Sequence, residues 1–323
     1  TLRFLIPVAA ALGIHTTFFG QGRLPQRPIT AYLRELTKKG VTFDYHNTMP
    51  FTIDGKLRSG VFELEGDVSS QYVTGLLFAL PLLDGDSEIR MLSKLESKPY
   101  VDLTIACLRH FGIAVQETEQ GYAVAGGQQY HACDLTVEGD YSQAAFFCVA
   151  NALGSDITLT NLNPESVQGD KKIVEIVREM CYNREQGLPA GFTVDAADIP
   201  DLVPILAVLA TFGTAPSSIT GAHRLAIKES DRLASTANLL NRLGGKVTAT
   251  PDGLEIEPVK QLHGGTVDSC GDHRIAMCAA VAATRCAGEV TILHGECVEK
   301  SYPRFYEDYR QLGGIANVIV LES

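Results

Sequence analysis

Glu65-Gly66-Asp67-Val68-Ser69-Ser70-Gln71 and Glu138-Gly139-Asp140-Tyr141-Ser142-Gln143 are two copies of one stretch, 73 positions apart (139 − 66). Each leads through a polar turn into an apolar run, residues 72–80 in the first copy and 144–152 in the second. Apolar runs of this length behind Ser or Asp read as buried helices with side-chain N-caps. A strand-like segment follows each, at 88–92 and 156–159. Weaker copies start near Asp195 and Asp268, with second strands expected at 217–220 and 289–293.

The copies share one plan: strand, polar turn, apolar helix, strand, polar turn, second helix, then Gly and a hairpin. The second helices, at 101–111, 173–180, 233–243 and 305–312, carry helical apolar spacing. Three of them run into glycine, at Gly112, Gly244 and Gly313, where a left-handed C-cap is expected. Two further helices are expected, at 2–12, stopped by Gly13, and at 29–38. Repetition on this scale predicts a modular α/β architecture, and a unit this long is too large for a common solenoid repeat. The stretch 126–134, Gly-Gly-Gln-Gln-Tyr-His-Ala-Cys-Asp, is the candidate junction, giving domains 1–133 and 134–323.

A chain of 323 residues, 45% of them hydrophobic, has enough material for roughly two cores. The net charge of −11 argues against nucleic acid as the main partner. No uninterrupted apolar run approaches the ~18 residues of a membrane span. The eight cysteines form no Cys-x-x-Cys pair and no zinc spacing, which reads as reduced thiols in a cytoplasmic protein. Cys107, Cys148 and Cys278 sit in apolar helical stretches and are expected to be small core hydrophobes. The chain opens at Thr1 inside an apparent helix, without Met or signal-peptide features, so a truncation or internal processing point is expected there.

In this acidic chain, Lys and Arg cluster beside carboxylates at loop-to-helix junctions: Lys228-Glu229-Ser230-Asp231-Arg232, Asp272-His273-Arg274 and Lys300-Ser301. Helix N-termini present unpaired N–H groups and a positive dipole end. Several of them together suit a ligand rich in phosphate and carboxylate. Arg adds planar, bidentate anion recognition, and the acids could move protons. Further turns of this kind are Ser69-Ser70-Gln71, Ser97-Lys98-Pro99-Tyr100, Asp201, and Arg27 ahead of the helix at 29–38. Singly, each has a plainer reading. Ser69, Asp201 and Asp272 read as N-caps, Lys228-Glu229 and Asp231-Arg232 as surface pairs worth little, His273 as a hydrogen-bonded partner, and Arg27 as a solvated charge.

Taken together, Arg27-Pro28, Val68-Ser69-Ser70-Gln71, Ser97-Lys98-Pro99-Tyr100, Ile199-Pro200-Asp201-Leu202, Lys228 to Arg232 and Gly271-Asp272-His273-Arg274 resemble the 5-enolpyruvylshikimate-3-phosphate synthases, in order and over essentially the whole chain. The resemblance implies an α/β fold, a two-domain inside-out α/β barrel (the enolpyruvyl transferase fold). Each domain is built from three βαβαββ units whose helix N-termini face a shared cleft. It implies transfer of the enolpyruvyl group from phosphoenolpyruvate to the 5-hydroxyl of shikimate 3-phosphate, with release of phosphate and without metal or organic cofactor. Ser69, Ser70, Gln71, Ser97, Tyr100, Asp201, Arg224 and Lys228 would hold shikimate 3-phosphate. Arg27, Gln71, Arg232, Arg274 and Lys300 would hold phosphoenolpyruvate. Asp201 is the candidate base for the hydroxyl, and Glu229 the candidate acid/base at the methylene carbon. Residues 1–133 would be the remainder of the shikimate-3-phosphate side, and 134–323 would carry most of the phosphoenolpyruvate site.

The chain departs from the family at its start. A Gly-Ser-Lys-Ser-type loop, whose Lys and Ser bind substrates, has no counterpart here. By resemblance one of six repeats is absent, so impaired activity alone is expected, with a separate N-terminal segment as a partner. The alternatives are a non-catalytic shikimate-3-phosphate-binding remnant and the sister UDP-N-acetylglucosamine enolpyruvyl transferase. The sister carries a Cys in the loop matching Gln21–Arg27, which has none. The family is the target of glyphosate, and Phe4 stands where many sensitive members have Pro.

Overall fold

The computed structural model describes residues 1–182 and 191–319. They divide into two compact units, residues 1–137 with 167–169, and residues 138–166 with those from Asp170 onward.

The first unit runs α1 (Leu2–Ala11), β1 (Thr16–Phe18), α2 (Thr30–Thr37), β2 (Thr42–Asp44), β3 (Phe51–Asp54), β4 (Val61–Leu64), α3 (Ser70–Ala79), β5 (Ser87–Met91), α4 (Lys98–His110), β6 (Gln116–Thr118) and β7 (Gly121–Val124). From β4 onward this is one βαβαββ unit. Its sheet has the order β4-β5-β7-β6, with β4 and β5 parallel and the rest antiparallel. The preceding sheet, β1-β3-β2, is antiparallel throughout. Helix α3 is buried along most of its length and packs on α1 and α4, so it forms the unit's axis.

The second unit continues with α5 (Tyr141–Ala152), α6 (Lys172–Tyr182), β8 (Thr193–Asp195), α7 (Val203–Thr211), β9 (Ser217–Thr220), α8 (Arg232–Arg242), β10 (Lys246–Thr250), β11 (Gly253–Glu257), β12 (Gly265–Asp268), α9 (His273–Ala283), β13 (Val290–Leu293) and α10 (Phe305–Gln311). The sheet β8-β9-β11-β10 repeats the order and directions of β4-β5-β7-β6. The internal repeat read from the sequence is therefore a repeat of topology. Both hairpins close with two-residue loops, Glu119-Gln120 and Pro251-Asp252. Gly121 and Gly253 open the last strand of each copy, where a Cβ would strike the carbonyl of Ile89 or Ile219. Only glycine lets the two backbones lie that close.

The expected helices form within a residue or two of their predicted ends, apart from extra N-terminal residues on α4 and α5. Gly112, Gly244 and Gly313 adopt φ of 81°, 89° and 94°, the left-handed cap. Residues 156–159 differ from expectation: they join no sheet. Their strand-like composition finds no neighbouring ladder, and Asn151 on α5 holds them instead. Its side-chain amide donates to the Ile157 carbonyl (2.7 Å), and its oxygen accepts from the Ile157 N–H (2.8 Å). Asn241 on α8 clamps Val247 with the same pair of bonds, 2.7 and 2.8 Å. Cys278 is buried, as expected; Cys107 and Cys148 are half-buried.

Asn151→Ala removes both bonds from a segment that has no ladder to fall back on. It should lower unfolding stability by about 1–3 kcal/mol, read as a lower urea midpoint at unchanged slope. An unchanged midpoint would show that the segment is held by other means.

Candidate active site

Helices α5, α7 and α9 pack against one another in the core of the second unit. Every residue of α7 is buried, and ten of the eleven in α9 are. Helices that are apolar all round can carry polar groups only at their ends. The polar groups gather there. Asp140 caps α5, accepting from the Ser142 N–H at 2.8 Å. Asp272 caps α9, accepting from the Arg274 N–H at 3.0 Å. Asp201 lies in the 3-10 turn Pro200–Leu202 that leads into α7. Helix α8 starts at Arg232, behind Asp231, which accepts from the Ala234 N–H at 3.1 Å.

Arg232 is the largest fully buried side chain and is 2% exposed. Its Nε donates to Asp272 Oδ2 at 2.8 Å, its Nη1 to Asp201 Oδ1 at 2.9 Å, and its Nη2 to Glu229 Oε2 at 2.7 Å. Ser230 Oγ adds a bond to Asp272 Oδ2 at 3.1 Å. The surface-pair readings, Lys228 with Glu229 and Asp231 with Arg232, are overturned for Glu229 and Arg232, because carboxylates from two distant turns close over the guanidinium. Asp272 is an N-cap as read, and is also the innermost partner of Arg232. Asp231 remains an exposed cap.

Arg274 grips Asp201 from the other side, through Nη2 to Oδ2 at 3.0 Å and Nη1 to the backbone carbonyl at 3.2 Å. Lys228 stands 3.9 Å from Asp201 and Lys300 3.4 Å from Glu229. Burial pushes the Asp201 carboxyl up, but Arg274, Lys228 and Arg232 outweigh it and hold it well below the usual carboxylate range. Burial alone would make Arg232 easier to deprotonate; Asp201, Asp272 and Glu229 reverse that and keep it charged. Burial, helped by Arg274 and Arg232, lowers His273 to about 4, so it is neutral near pH 7. His273 Nδ1 lies 3.7 Å from Asp272, beyond hydrogen-bond reach, so the hydrogen-bonded reading of His273 finds no support in that pair. Arg224 is buried and donates to the Ala197 carbonyl at 2.7 Å.

Sequence reading missed Asp170. It lies in the turn Gly169–Lys171 ahead of α6, is 3% exposed, and accepts a hydrogen bond from Ser142 Oγ. Burial, with Asp201 nearby, raises its carboxyl to about 6. One isolated Asp in a polar turn gives no signal in a sequence.

The first unit holds Ser69, Ser70 and Gln71 at the start of α3. Ser69 Oγ caps the helix, accepting from the Gln71 N–H at 3.3 Å. Arg3, on α1, also escaped the sequence reading, although a lone Arg in an apolar helix was a usable signal. It is 7% exposed and donates to Ser69 Oγ at 3.1 Å, Gln71 Oε1 at 3.2 Å and the Pro28 carbonyl at 2.9 Å. Tyr72 hydroxyl donates to the same carbonyl, so the Arg27-Pro28 turn is pinned beside Gln71. Ser97 precedes α4 in a left-handed conformation and is buried, with Tyr100 half-buried one turn on. Among the described residues no group of three or more His, Cys, Asp or Glu is placed to hold a metal ion. No described helix is long and apolar enough to cross a membrane.

The family model for EPSP synthase (3-phosphoshikimate 1-carboxyvinyltransferase) matches residues 1–309. The chain belongs to the EPSP synthase family. The 3-phosphoshikimate 1-carboxyvinyltransferase of Clostridium kluyveri is 45% identical, over 97% of this chain and 76% of the relative. That of Clostridium novyi is 43% identical, over 98% and 75%. A solved EPSP synthase from Acinetobacter baumannii superposes with a TM-score of 0.78 at 24% identity, over 96% of this chain and 76% of the other. That likeness is one of fold, the α/β enolpyruvyl transferase fold expected from the sequence.

The buried cluster generates a pH-dependent expectation for an EPSP synthase family member. Arg232→Met removes the counter-charge that three carboxylates share and should destabilise the protein by about 3–5 kcal/mol near pH 7. Asp201 has a depressed folded value, so its stabilising share is present above the unfolded value of about 4 and is lost only as pH falls through the folded one. In the variant the folded carboxylates lack this guanidinium and bind protons at higher pH, which relieves their uncompensated charge as the pH falls. Thermal melts of the two proteins should therefore converge between about pH 7 and pH 4.5. A gap that stays constant over that range would mean the penalty is one of packing alone.

Proposed function

We propose that this chain transfers the enolpyruvyl group from phosphoenolpyruvate to the 5-hydroxyl of shikimate 3-phosphate, releasing phosphate, on the route to chorismate and the aromatic amino acids. The observation that carries the mechanism is the arrangement around Arg232: two carboxylates, Asp201 and Glu229, share one buried guanidinium and have Arg274 and Lys300 at their outer sides.

The reaction needs three proton movements. The hydroxyl loses one, the methylene carbon gains one, and the methyl group of the tetrahedral intermediate loses one as phosphate departs. Asp201 serves as base for the hydroxyl and Glu229 as acid and base at the carbon. Paired with Arg274 and Lys228, Asp201 is a weak base. An incoming carboxylate or phosphate that engages Arg274 loosens one of those pairs and raises the proton affinity of Asp201 as substrate arrives. Lys300 and Glu229 stand in the same relation. Arg27, Gln71, Arg274 and Lys300 hold phosphoenolpyruvate in this reading, with the charge of Arg232 behind them, and stabilise the departing phosphate. Arg232 acts from beneath, by fixing the carboxylates. Ser69, Ser70, Gln71, Ser97, Tyr100, Asp201, Arg224 and Lys228 hold shikimate 3-phosphate.

The reading extends to organisation. Residues 1–133 belong to the shikimate-3-phosphate side, and 134–323 carry most of the phosphoenolpyruvate site. The free thiols of the described cysteines suit a cytoplasmic enzyme. The chain spans about three quarters of its curated relatives' length, and the family's N-terminal segment, supplied in trans, enters the test below.

Phosphate release from phosphoenolpyruvate plus shikimate 3-phosphate tests this, with the chain alone and with such a segment added. Asp201→Asn and Glu229→Gln should each lower kcat by on the order of 10²–10⁴. Lys300→Met should raise the KM for phosphoenolpyruvate. Release indifferent to both carboxyl substitutions would sink the assignment. Binding of shikimate 3-phosphate with no release in either mixture would point to a binding protein instead.

A further inference from the structure

We propose that Arg3 is a positioning residue for the start of α3: it turns Ser69 and Gln71 into hydrogen-bond donors toward an anionic substrate. The inference rests on the reading of Ser69 and Gln71 as substrate contacts and adds the residue that sets their polarity.

Arg3 is 7% exposed, and its hydrogen-bond partners among the described residues are all neutral. Its Nη1 donates to Ser69 Oγ at 3.1 Å and to Gln71 Oε1 at 3.2 Å. Its Nη2 and Nε donate to the Pro28 carbonyl at 2.9 and 3.3 Å. The guanidinium carbon lies 4.8 Å from the centroid of the Tyr72 ring. Arg232 is equally deep in its own unit and meets three carboxylates. Arg3 meets none among the described residues, so its charge is left for something else to balance. Its place is fixed from behind. The Arg3 carbonyl accepts from the Tyr32 hydroxyl at 2.8 Å. Gly75 lets α3 close on α1 here, because a Cβ at that position would strike both that carbonyl and that hydroxyl.

Atom types decide which end of each side chain points where. A guanidinium has donors and no acceptor, so the end of the Gln71 amide that faces it is the oxygen. The nitrogen, with its two N–H groups, is the end presented to a ligand. Ser69 Oγ accepts from Arg3 and from the Gln71 backbone N–H at 3.3 Å, which takes up both lone pairs of the hydroxyl. Its own hydrogen is then directed elsewhere, as a donor. With these acceptors engaged by Arg3, the two side chains offer N–H and O–H groups in front of a buried positive charge. Phosphate and carboxylate oxygens accept from such a set; a ligand group that must donate finds no acceptor in it. The same guanidinium ties down the Arg27-Pro28 turn, whose carbonyl also takes the Tyr72 hydroxyl. In Arg3→Met nothing distinguishes the two ends of the Gln71 amide, and either can turn toward the ligand.

The test is a double-mutant cycle read by titration calorimetry with shikimate 3-phosphate. Arg3→Met should weaken binding by about 3- to 100-fold, the span of couplings between residues in contact. In a Gln71→Met background the same substitution should cost at least about threefold less, because the amide it orients is gone. Equal cost in the two backgrounds would overturn the proposal. A second variant keeps Arg3 in place. Gln71→Glu gives the buried guanidinium a carboxylate, so the melting midpoint should rise by about 2 °C, and by less in Arg3→Met. Shikimate 3-phosphate binding should fall in the same variant, since an oxygen replaces the outward nitrogen. A lower midpoint or undiminished binding in Gln71→Glu would equally overturn the proposal. The synthase reading fails separately. Coupling between Arg3 and Gln71 with no phosphate release from the two substrates would keep the positioning role and remove the reaction. Release without coupling would do the reverse, and a native chain that binds no shikimate 3-phosphate would lose both.

Discussion

A guanidinium taken almost wholly out of water must find its counter-charges inside the protein, and that requirement organises the second unit. Arg232 meets it with Asp201, Glu229 and Asp272, drawn from the turn before α7, the loop before α8 and the cap of α9. Isolated, any of these charges would be expensive at this depth. Combined, they lock three chain segments to one another and leave Arg274, Lys228 and Lys300 arranged around the outside. The rigid interior of the cluster and its cationic rim are therefore one object. Its position follows from helices too apolar to place charge anywhere except at their first turns.

The repeated topology explains why those first turns come together. In β4 to β7 and in β8 to β11 a parallel strand pair flanks a buried helix, and a hairpin closes the sheet in the same order. Each copy delivers a helix start at the same place relative to its strands. Packing α5, α7 and α9 side by side then gathers three such starts in one unit. In the first unit, α1 and α3 do the same with Arg3, Ser69 and Gln71.

Much of this was legible in the sequence because it depends on local chemistry. Gly-Asp turns before apolar runs mark α3 and α5, and glycines mark the ends of α4, α8 and α10, since N-caps and left-handed C-caps are short-range requirements. What resisted reading depends on distant residues. Glu229 and Arg232 have the spacing of a solvated pair; Asp201 and Asp272, 31 and 40 positions from Arg232, are what bury them. Asp170 becomes notable only through Ser142, 28 positions away. Residues 156–159 have strand composition, yet a strand needs a neighbour, and composition says nothing of whether one is present.

Asp272 occupies two offices with one carboxylate. It satisfies the first turn of α9 through the Arg274 N–H and neutralises Arg232 with the same pair of oxygens. A helix cap alone can drift among Ser, Thr, Asn and Asp with little harm. A counter-ion cannot, because the neutral substitutes leave the guanidinium short of charge. For lineages of this chain, Asp272 and Arg232 thus form an epistatic pair: neither position is free to explore while the other stands. Asp231, an exposed cap of α8 outside this cluster, keeps the freedom of an ordinary cap, and variation is channelled to positions of its kind.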